Sequence, residues 1–280
     1  MTDALLEAAD LHKSFGGGGW FAKRQPVRAV RGVSVAVRPG ETLGIVGESG
    51  SGKSTLARML VGLEMPDSGT IRMEGHAVAT RRSLDFHRQV QFVFQDASSA
   101  LNPRKTIRRI LEDPLNHLLG LTRSRRRERV EELMALVHLR PEFLDRYPHE
   151  FSGGQAQRIG IARALAAKPR LIVLDEPVSA LDLSVQAQVL NLLADLQDEM
   201  GLTYIFVSHD LDEAFKLGNR IALMEGGRIV QIGTARDIIA NPVNDYVADF
   251  VAHMNPLGVL TAADVAQPGD APEGVGGDPV

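Results

Sequence analysis

Apolar residues along this chain change period several times, and each change marks an element. Residues 27–37 are rich in Val with partial alternation and stop at Pro39-Gly40, which predicts a strand and a turn. A short apolar run at 42–46 predicts another strand; it enters a glycine-rich stretch, and 53–62 reads as a helix. Ser68-Gly69 marks a turn before a strand at 70–73, and 90–94 predicts one more. From 106 to 147 only the helical period remains. Val130, Leu133, Met134 and Val137 stand at i, i+3, i+4 and i+7, one face of a helix. Apolar strands return at 171–174 and 203–207, separated by a long helix over 184–200. Gly226-Gly227 between apolar runs at 221–224 and 228–232 is a hairpin signal. Asn241-Pro242 then marks a boundary before a short helical stretch that runs to Met254.

Strands joined by helices of about 10–15 residues imply a parallel sheet with helices packed on it. The block 106–147 reads as an all-helical insertion between two α/β halves, and no internal repeat is visible. Residues 262–280 hold Pro268, Gly269, Pro272, Gly274, Gly276, Gly277 and Pro279 with almost nothing to bury, and are expected to be disordered.

Composition narrows the classes. A chain of 280 residues, 44% hydrophobic and 24% charged, is long and apolar enough for a globular core, which excludes general disorder. Its 31 basic residues are outnumbered by 35 acidic ones, an argument against a dedicated nucleic-acid binder. With no cysteine, disulfides and thiolate-bound metals are impossible. The first ten residues have no basic cluster ahead of an apolar run, unlike a secretory signal. No stretch reaches the roughly 18 apolar residues of a membrane helix, so any membrane role is expected to come through a partner. The run Arg123, Arg125, Arg126, Arg127 and Arg129 starts an amphipathic helix, with Glu131 four residues after Arg127, and reads as a solvated face.

Candidate chemistry begins where the strand at 42–46 ends. Gly47-Glu48-Ser49-Gly50-Ser51-Gly52-Lys53-Ser54 fits the P-loop pattern G-x-x-x-x-G-K-[ST], between a strand and a helix as that pattern requires. Glycines let backbone N–H groups curl round phosphate oxygens, and the helix adds its positive N-terminal end. Lys53 would neutralise β- and γ-phosphates, and the Ser54 hydroxyl would ligate Mg²⁺. The strand 171–174 runs into Asp175-Glu176, at the end of a parallel strand where ligands bind. Asp175 would hold Mg²⁺, and Glu176 would accept a proton from an attacking water. An acidic pair alone is more often a helix cap or a solvated turn; the P-loop reverses that preference. Phe151-Ser152-Gly153-Gly154-Gln155 opens another helix, and suits either a second phosphate contact or an ordinary N-cap.

P-loop, Ser-Gly-Gly-Gln, then an apolar strand ending in Asp-Glu: this order resembles the ATP-binding cassette (ABC) ATPase family. Gln95 matches the family's Q-loop glutamine, Ser179-Ala180-Leu181-Asp182 its D-loop, and His209 in Ser208-His209-Asp210 its H-loop. Phe15 matches the aromatic that stacks on adenine, with Trp20 as a second candidate unless residues 16–26 are only a loop between strands. The resemblance covers about residues 4–254. It implies a P-loop NTPase core with a mostly parallel sheet, an N-terminal antiparallel β subdomain and a helical subdomain over about 96–165. Residues 1–240 would form the ATP-binding domain and 241–261 a helical extension ahead of the tail at 262–280.

The family also implies ATP and Mg²⁺ as cofactors and a head-to-tail pair, homo- or heterodimeric. In it, Ser152, Gly153, Gly154 and Gln155 of one chain cap the γ-phosphate held by 47–55, from Gly47 to Thr55, of the other. Asp182 joins that nucleotide-binding set; His209 contacts the γ-phosphate and positions the water activated by Glu176; Gln95 joins Ser54 and Asp175 at the metal. The implied partners are transmembrane permease subunits and, indirectly, a periplasmic or extracellular solute-binding protein. The implied place is the cytoplasmic face of the inner membrane, peripherally bound.

A single motif set without membrane helices is similar to the separate ATPase subunit of a bacterial importer. A soluble regulatory ATPase, uncoupled from transport, is the alternative of another class. For the substrate, two regions point differently. Gln95-Asp96-Ala97-Ser98-Ser99-Ala100-Leu101-Asn102-Pro103-Arg104 resembles the dipeptide/oligopeptide/nickel importer class, whereas 244–250 and 253–257 look like the tail of glycine betaine/choline importers. The first region is expected to touch the permease and so favours peptides. Residues 241–261 are expected on the distal side, away from the cleft beside Gln95.

Overall fold

The antiparallel part of the fold forms from the start of the chain. The computed structural model describes residues 4–16, 26–79 and 82–252; Trp20 and the stretch 253–280 lie outside them. Strands β1 (Leu6–Phe15) and β2 (Val27–Val37) pair antiparallel, with Leu6 opposite Val37 and Phe15 opposite Val27. Leu6, Ala8 and Leu11 are buried, so the inward set slips by one residue along β1. The slip sits at Asp10, whose φ of 52° is left-handed, where the register with the neighbouring strands also shifts. This bulge is why β1 carries no clean alternation in the sequence.

β3 (Thr42–Val46) follows and is buried at all five positions. It runs into the P-loop, and α1 (Lys53–Val61) ends on Gly62 in the left-handed region. β4 (Ser68–Met73) and β5 (His76–Ala77) complete a four-stranded sheet ordered β2-β1-β4-β5. α2 (Leu84–Gln89), capped by Ser83, leads into β6 (Val90–Val93).

Helices dominate the next stretch: α3 (Ala97–Ala100), α4 (Ile107–His117), α5 (Arg123–Leu136) and α6 (Gly153–Ala166). Val130, Leu133, Met134 and Val137 are fully buried, as their spacing predicts. Arg127 pairs with Glu131 at 3.6 Å on the solvent side, while Arg126 is held by Asn116 and the Leu121 carbonyl. Arg123, Arg125 and Arg127 are exposed, whereas Arg126 and Arg129 are half-buried, so only part of the basic run is a solvated face.

β7 (Leu171–Asp175), α7 (Leu183–Met200), β8 (Thr203–Ser208), α8 (Leu211–Leu217), β9 (Arg220–Glu225), β10 (Arg228–Gly233), α9 (Ala235–Ala240) and α10 (Asp245–Ala252) complete the described chain. The larger sheet is ordered β10-β9-β3-β8-β7-β6. Its pairs are parallel except for the β9–β10 hairpin. β7 and β8 are buried along their whole length, which fits strands covered by helices on both faces. The fold is thus an α/β P-loop NTPase architecture joined to an antiparallel sheet and a group of helices. β6, which leads to Gln95, and β10, beside α9 and α10, form opposite edges of the large sheet.

Candidate nucleotide site

The P-loop curls because its glycines permit what other residues would resist. Gly52 takes a φ of 102°, and a Cβ there would collide with the Ala29 carbonyl oxygen. Lys53 is 4% exposed, and its ammonium donates to the carbonyls of Gly47 at 2.7 Å and Glu48 at 2.8 Å. Burial lowers its pKa, against the pull of the nearby Glu176 and Asp175 carboxylates.

Sheet order brings the other groups to the same place. P-loop, His209, Asp175 with Glu176, and Gln95 follow the C-terminal ends of β3, β8, β7 and β6, four neighbouring strands. The C-terminal ends of parallel strands lie at one end of the sheet, so residues distant in sequence converge there. Asp175 is 2% exposed; burial raises its pKa, while a hydrogen bond from Ser54 and the Arg58 guanidinium, 3.9 Å away, oppose the shift. Glu176 has a left-handed φ of 47°, and its N–H donates to the Val207 carbonyl at 3.0 Å. Its Oε2 receives the Gln95 amide at 3.0 Å and lies 3.5 Å from His209 Nδ1. Gln95 also donates to the Ser179 hydroxyl at 3.2 Å.

Two buried polar atoms here have no hydrogen-bond partner among the described residues: Asp175 Oδ1 and Ser51 Oγ. Buried polar groups are normally satisfied, so these two are readily explained by groups they would bind. A carboxylate oxygen beside a serine hydroxyl is a hard-oxygen donor set, which fits Mg²⁺. Ser51 Oγ, inside the P-loop, fits a phosphate oxygen.

The 152–155 loop sits elsewhere in the chain. Ser152 caps α6: its hydroxyl accepts from the Gln155 N–H at 3.4 Å, and Gln155 Oε1 accepts from the Ser152 N–H at 3.1 Å. Gly153 and Gly154 lie against Leu181 and Val185, and a Cβ on Gly154 would collide with Val185. Asp182, Leu183 and Ser152 are all exposed. Phe15 is 41% exposed at the end of β1, with the Lys13 ammonium 5.4 Å from its ring centre.

Sequence reading missed three contributors. Arg58 reaches Asp175 from the next turn of α1; Glu213 accepts a 2.6 Å hydrogen bond from Ser208 beneath the His209 turn; and the Met224 carbonyl backs Gly47. Arg58 meets Asp175 only once α1 packs beside β7, Glu213 lies five residues from Ser208 across a strand-to-helix turn, and the third is a main-chain atom, so none belongs to a recognisable motif.

The family pattern described as ABC transporter matches residues 30–179. This chain belongs to the ABC transporter family. A probable peptide ABC transporter ATP-binding protein from Sinorhizobium fredii is 49% identical over 257 residues, covering 90% of this chain and 73% of that protein. The oligopeptide transport ATP-binding protein AppF of Bacillus subtilis is 46% identical over 252 residues, covering 87% of this chain and 76% of its own length. Among solved structures, the ABC cassette MJ0796, as a dimer in a post-hydrolysis state bound to ADP and Pi, superposes with a TM-score of 0.72. It is 29% identical, covering 82% of this chain and 98% of that one. Among the described residues, no helix of this ABC family member is long and apolar enough to cross a membrane.

Proposed function

We propose that this chain is the ATP-hydrolysing subunit of an importer, driving uptake of peptides through separate membrane permease subunits. The observation that carries the reading is the convergence of Lys53, Asp175, Glu176, His209 and Gln95 at the C-terminal ends of four neighbouring parallel strands.

Each group has a role its surroundings suit. P-loop amides and Lys53 hold the β- and γ-phosphates, and Phe15 offers an exposed ring to adenine. Ser54 and Asp175, with the amide oxygen of Gln95, hold Mg²⁺, which would supply charge compensation to the phosphates. Glu176 takes the proton of the attacking water, and its carboxylate is held by the strand-end turn and by Gln95. His209, 3.5 Å from that carboxylate, orients the water and meets the γ-phosphate. Ser152, Gly153, Gly154 and Gln155, with Asp182, close the same phosphate from a second copy or a close paralogue.

The permease contact belongs at a groove of about 420 Å³. Its lining includes Phe92, Phe94, Asn102, Lys105, Asp113 and Arg163, so it follows the 95–104 segment and the start of the helices. An amphipathic segment of a membrane subunit suits this mix of aromatic and charged side chains, and would place the chain at the cytoplasmic membrane face. Peptide transport is favoured by likeness to peptide-transport ATP-binding proteins and by the 95–104 segment that borders the groove.

Reconstitution in lipid tests the reading. Hydrolysis is expected to rise with a peptide-type permease and its peptide-loaded receptor, and to be lost together with ATP binding in Lys53→Ala. Stimulation only by a glycine betaine or choline system would overturn the substrate class. Hydrolysis indifferent to any permease would point to a regulatory ATPase, and unchanged ATP affinity in Lys53→Ala would overturn the site.

A further inference from the structure

The last described helix reaches the P-loop through a backbone carbonyl. Val247 of α10 is buried, and Tyr246, Phe250 and Val251 pack against the core that includes Leu223 of β9 and Ile238 of α9. The Tyr246 and Phe250 rings stack with centres 5.7 Å apart, and the Tyr246 hydroxyl donates to the Met224 carbonyl at 3.3 Å. That same carbonyl is where a Cβ on Gly47 would collide, so it is the wall against which the first P-loop residue rests. On the far side of the hairpin, the Gly227 N–H donates to the Ser51 carbonyl at 3.0 Å. The β9–β10 hairpin therefore braces the loop at both ends.

The helix is itself pinned, so the hydroxyl's position is fixed from behind. Gln231 donates to the Asn241 carbonyl at 3.0 Å and accepts from the Val243 N–H at 3.1 Å. Asn244 Oδ1 then accepts from the Val247 N–H at 3.0 Å. Burial raises the Tyr246 pKa, and the Glu48 backbone N–H, which opposes that shift, lies close to the phenol.

We propose that Tyr246 is a positioning residue for phosphate binding, its hydroxyl fixing the Met224 carbonyl and thereby the Gly47–Glu48 backbone. For its effect on ATP the inference rests on the proposed ATPase function; for its effect on the loop's motion it does not. The last described helix thus acts on the nucleotide beside the β9–β10 hairpin, on the side of the sheet opposite the edge strand β6 that leads to Gln95.

Tyr246→Phe keeps the ring and removes only the hydroxyl. Loss of one hydrogen bond is expected to raise the KM and Kd for ATP by about two- to tenfold, with kcat unchanged. Amide hydrogen exchange across 47–52 is expected to quicken in the nucleotide-free protein. Phe250→Leu serves as a packing control: it is expected to lower the melting temperature while leaving that exchange and the ATP affinity as they were. Wild-type exchange across 47–52 in Tyr246→Phe would overturn the brace, whatever ATP does. Faster exchange with unchanged ATP affinity would overturn its role in phosphate binding, and matching shifts in Phe250→Leu would reduce Tyr246 to packing. Absence of ATP binding in the unaltered chain would refute the proposed function, leaving the exchange comparison to decide the brace.

Discussion

Two glycine-containing loops, 47–52 and 152–155, each open a helix, yet the chain treats them oppositely. The first is walled by carbonyls of Ala29 and Met224, surrounds a buried lysine, and holds Ser51 Oγ without a partner. The second is self-satisfied, with an exposed serine capping its own helix and Gly154 buried against Val185, near a Leu183 that is 83% exposed. A buried polar atom left unpaired, as Ser51 Oγ is, is completed by a ligand. A loop whose serine already caps its own helix is left, in the proposed pair, to meet a second chain. In the proposed head-to-tail pair, the difference would let one chain carry a complete motif set while providing one wall of each shared site.

The largest effect is expected at the buried end. Glu176→Gln retains shape and the hydrogen bond from Gln95 but cannot accept a proton, so kcat should fall by ~10²–10⁴. ATP binding should survive, which equilibrium titration would check. A kcat within a factor of two of wild type would remove Glu176 as the base.

Gly52→Ala attacks the 47–52 loop through its backbone. The left-handed φ costs an alanine ~1–3 kcal/mol, and the Cβ also meets the Ala29 carbonyl. Lower melting temperature and loss of ATP affinity are expected together. Gly50 has a φ of 82° but open space around its Cβ, so Gly50→Ala should show only the smaller, conformational part.

The outward loop should respond differently. Ser152→Ala removes the α6 cap, a loss of about 1 kcal/mol readable by denaturant unfolding. ATP affinity of a single chain should stay unchanged while turnover drops. Weakened ATP binding at concentrations where the protein is monomeric would mean the loop serves its own chain's nucleotide, and the contrast between the two loops would collapse.

The smallest effect is one of pH. Burial raises the pKa of Glu213, although the Ser208 hydroxyl and His209 oppose it. A carboxyl that binds its proton more tightly folded than unfolded favours folding in acid. That contribution is fully present below the unfolded value, about 4.3, and is lost as pH rises through the folded one. Glu213→Gln, which still accepts from Ser208, should raise the melting temperature slightly at pH 7–8 and have no advantage near pH 4. An equal gain at both pH values would show that ionisation is not the cause.

Much of this was legible in the sequence because burial on both faces leaves a plain signal. β3, β7 and β8 carry largely apolar runs, at 43–46, 171–174 and 204–207, and the four positions from Val130 to Val137 mark one buried helix face. β1 was not legible, since the left-handed Asp10 slips the alternation that would announce a strand. The P-loop and the Asp175-Glu176 pair were readable because their chemistry demands contiguous residues. Arg58 with Asp175 and Tyr246 with the Met224 carbonyl were not, because each contact exists only once strands and helices have packed, and Ser208 with Glu213, five residues apart across a strand-to-helix turn, fits no motif. Ser152 stayed open between cap and phosphate contact, and within a single chain it is a cap.

Whether the site is shared between two chains is read most directly from mass. Glu176→Gln, which binds ATP without consuming it, would be followed by size exclusion with light scattering, with and without saturating Mg·ATP. A site closed by a second copy requires one-chain mass without nucleotide and twice that mass with it, and return to one chain when Ser152 is also changed to a bulky residue. If ATP is bound at full occupancy and the mass remains that of one chain, the loop at 152–155 does not complete a partner's site.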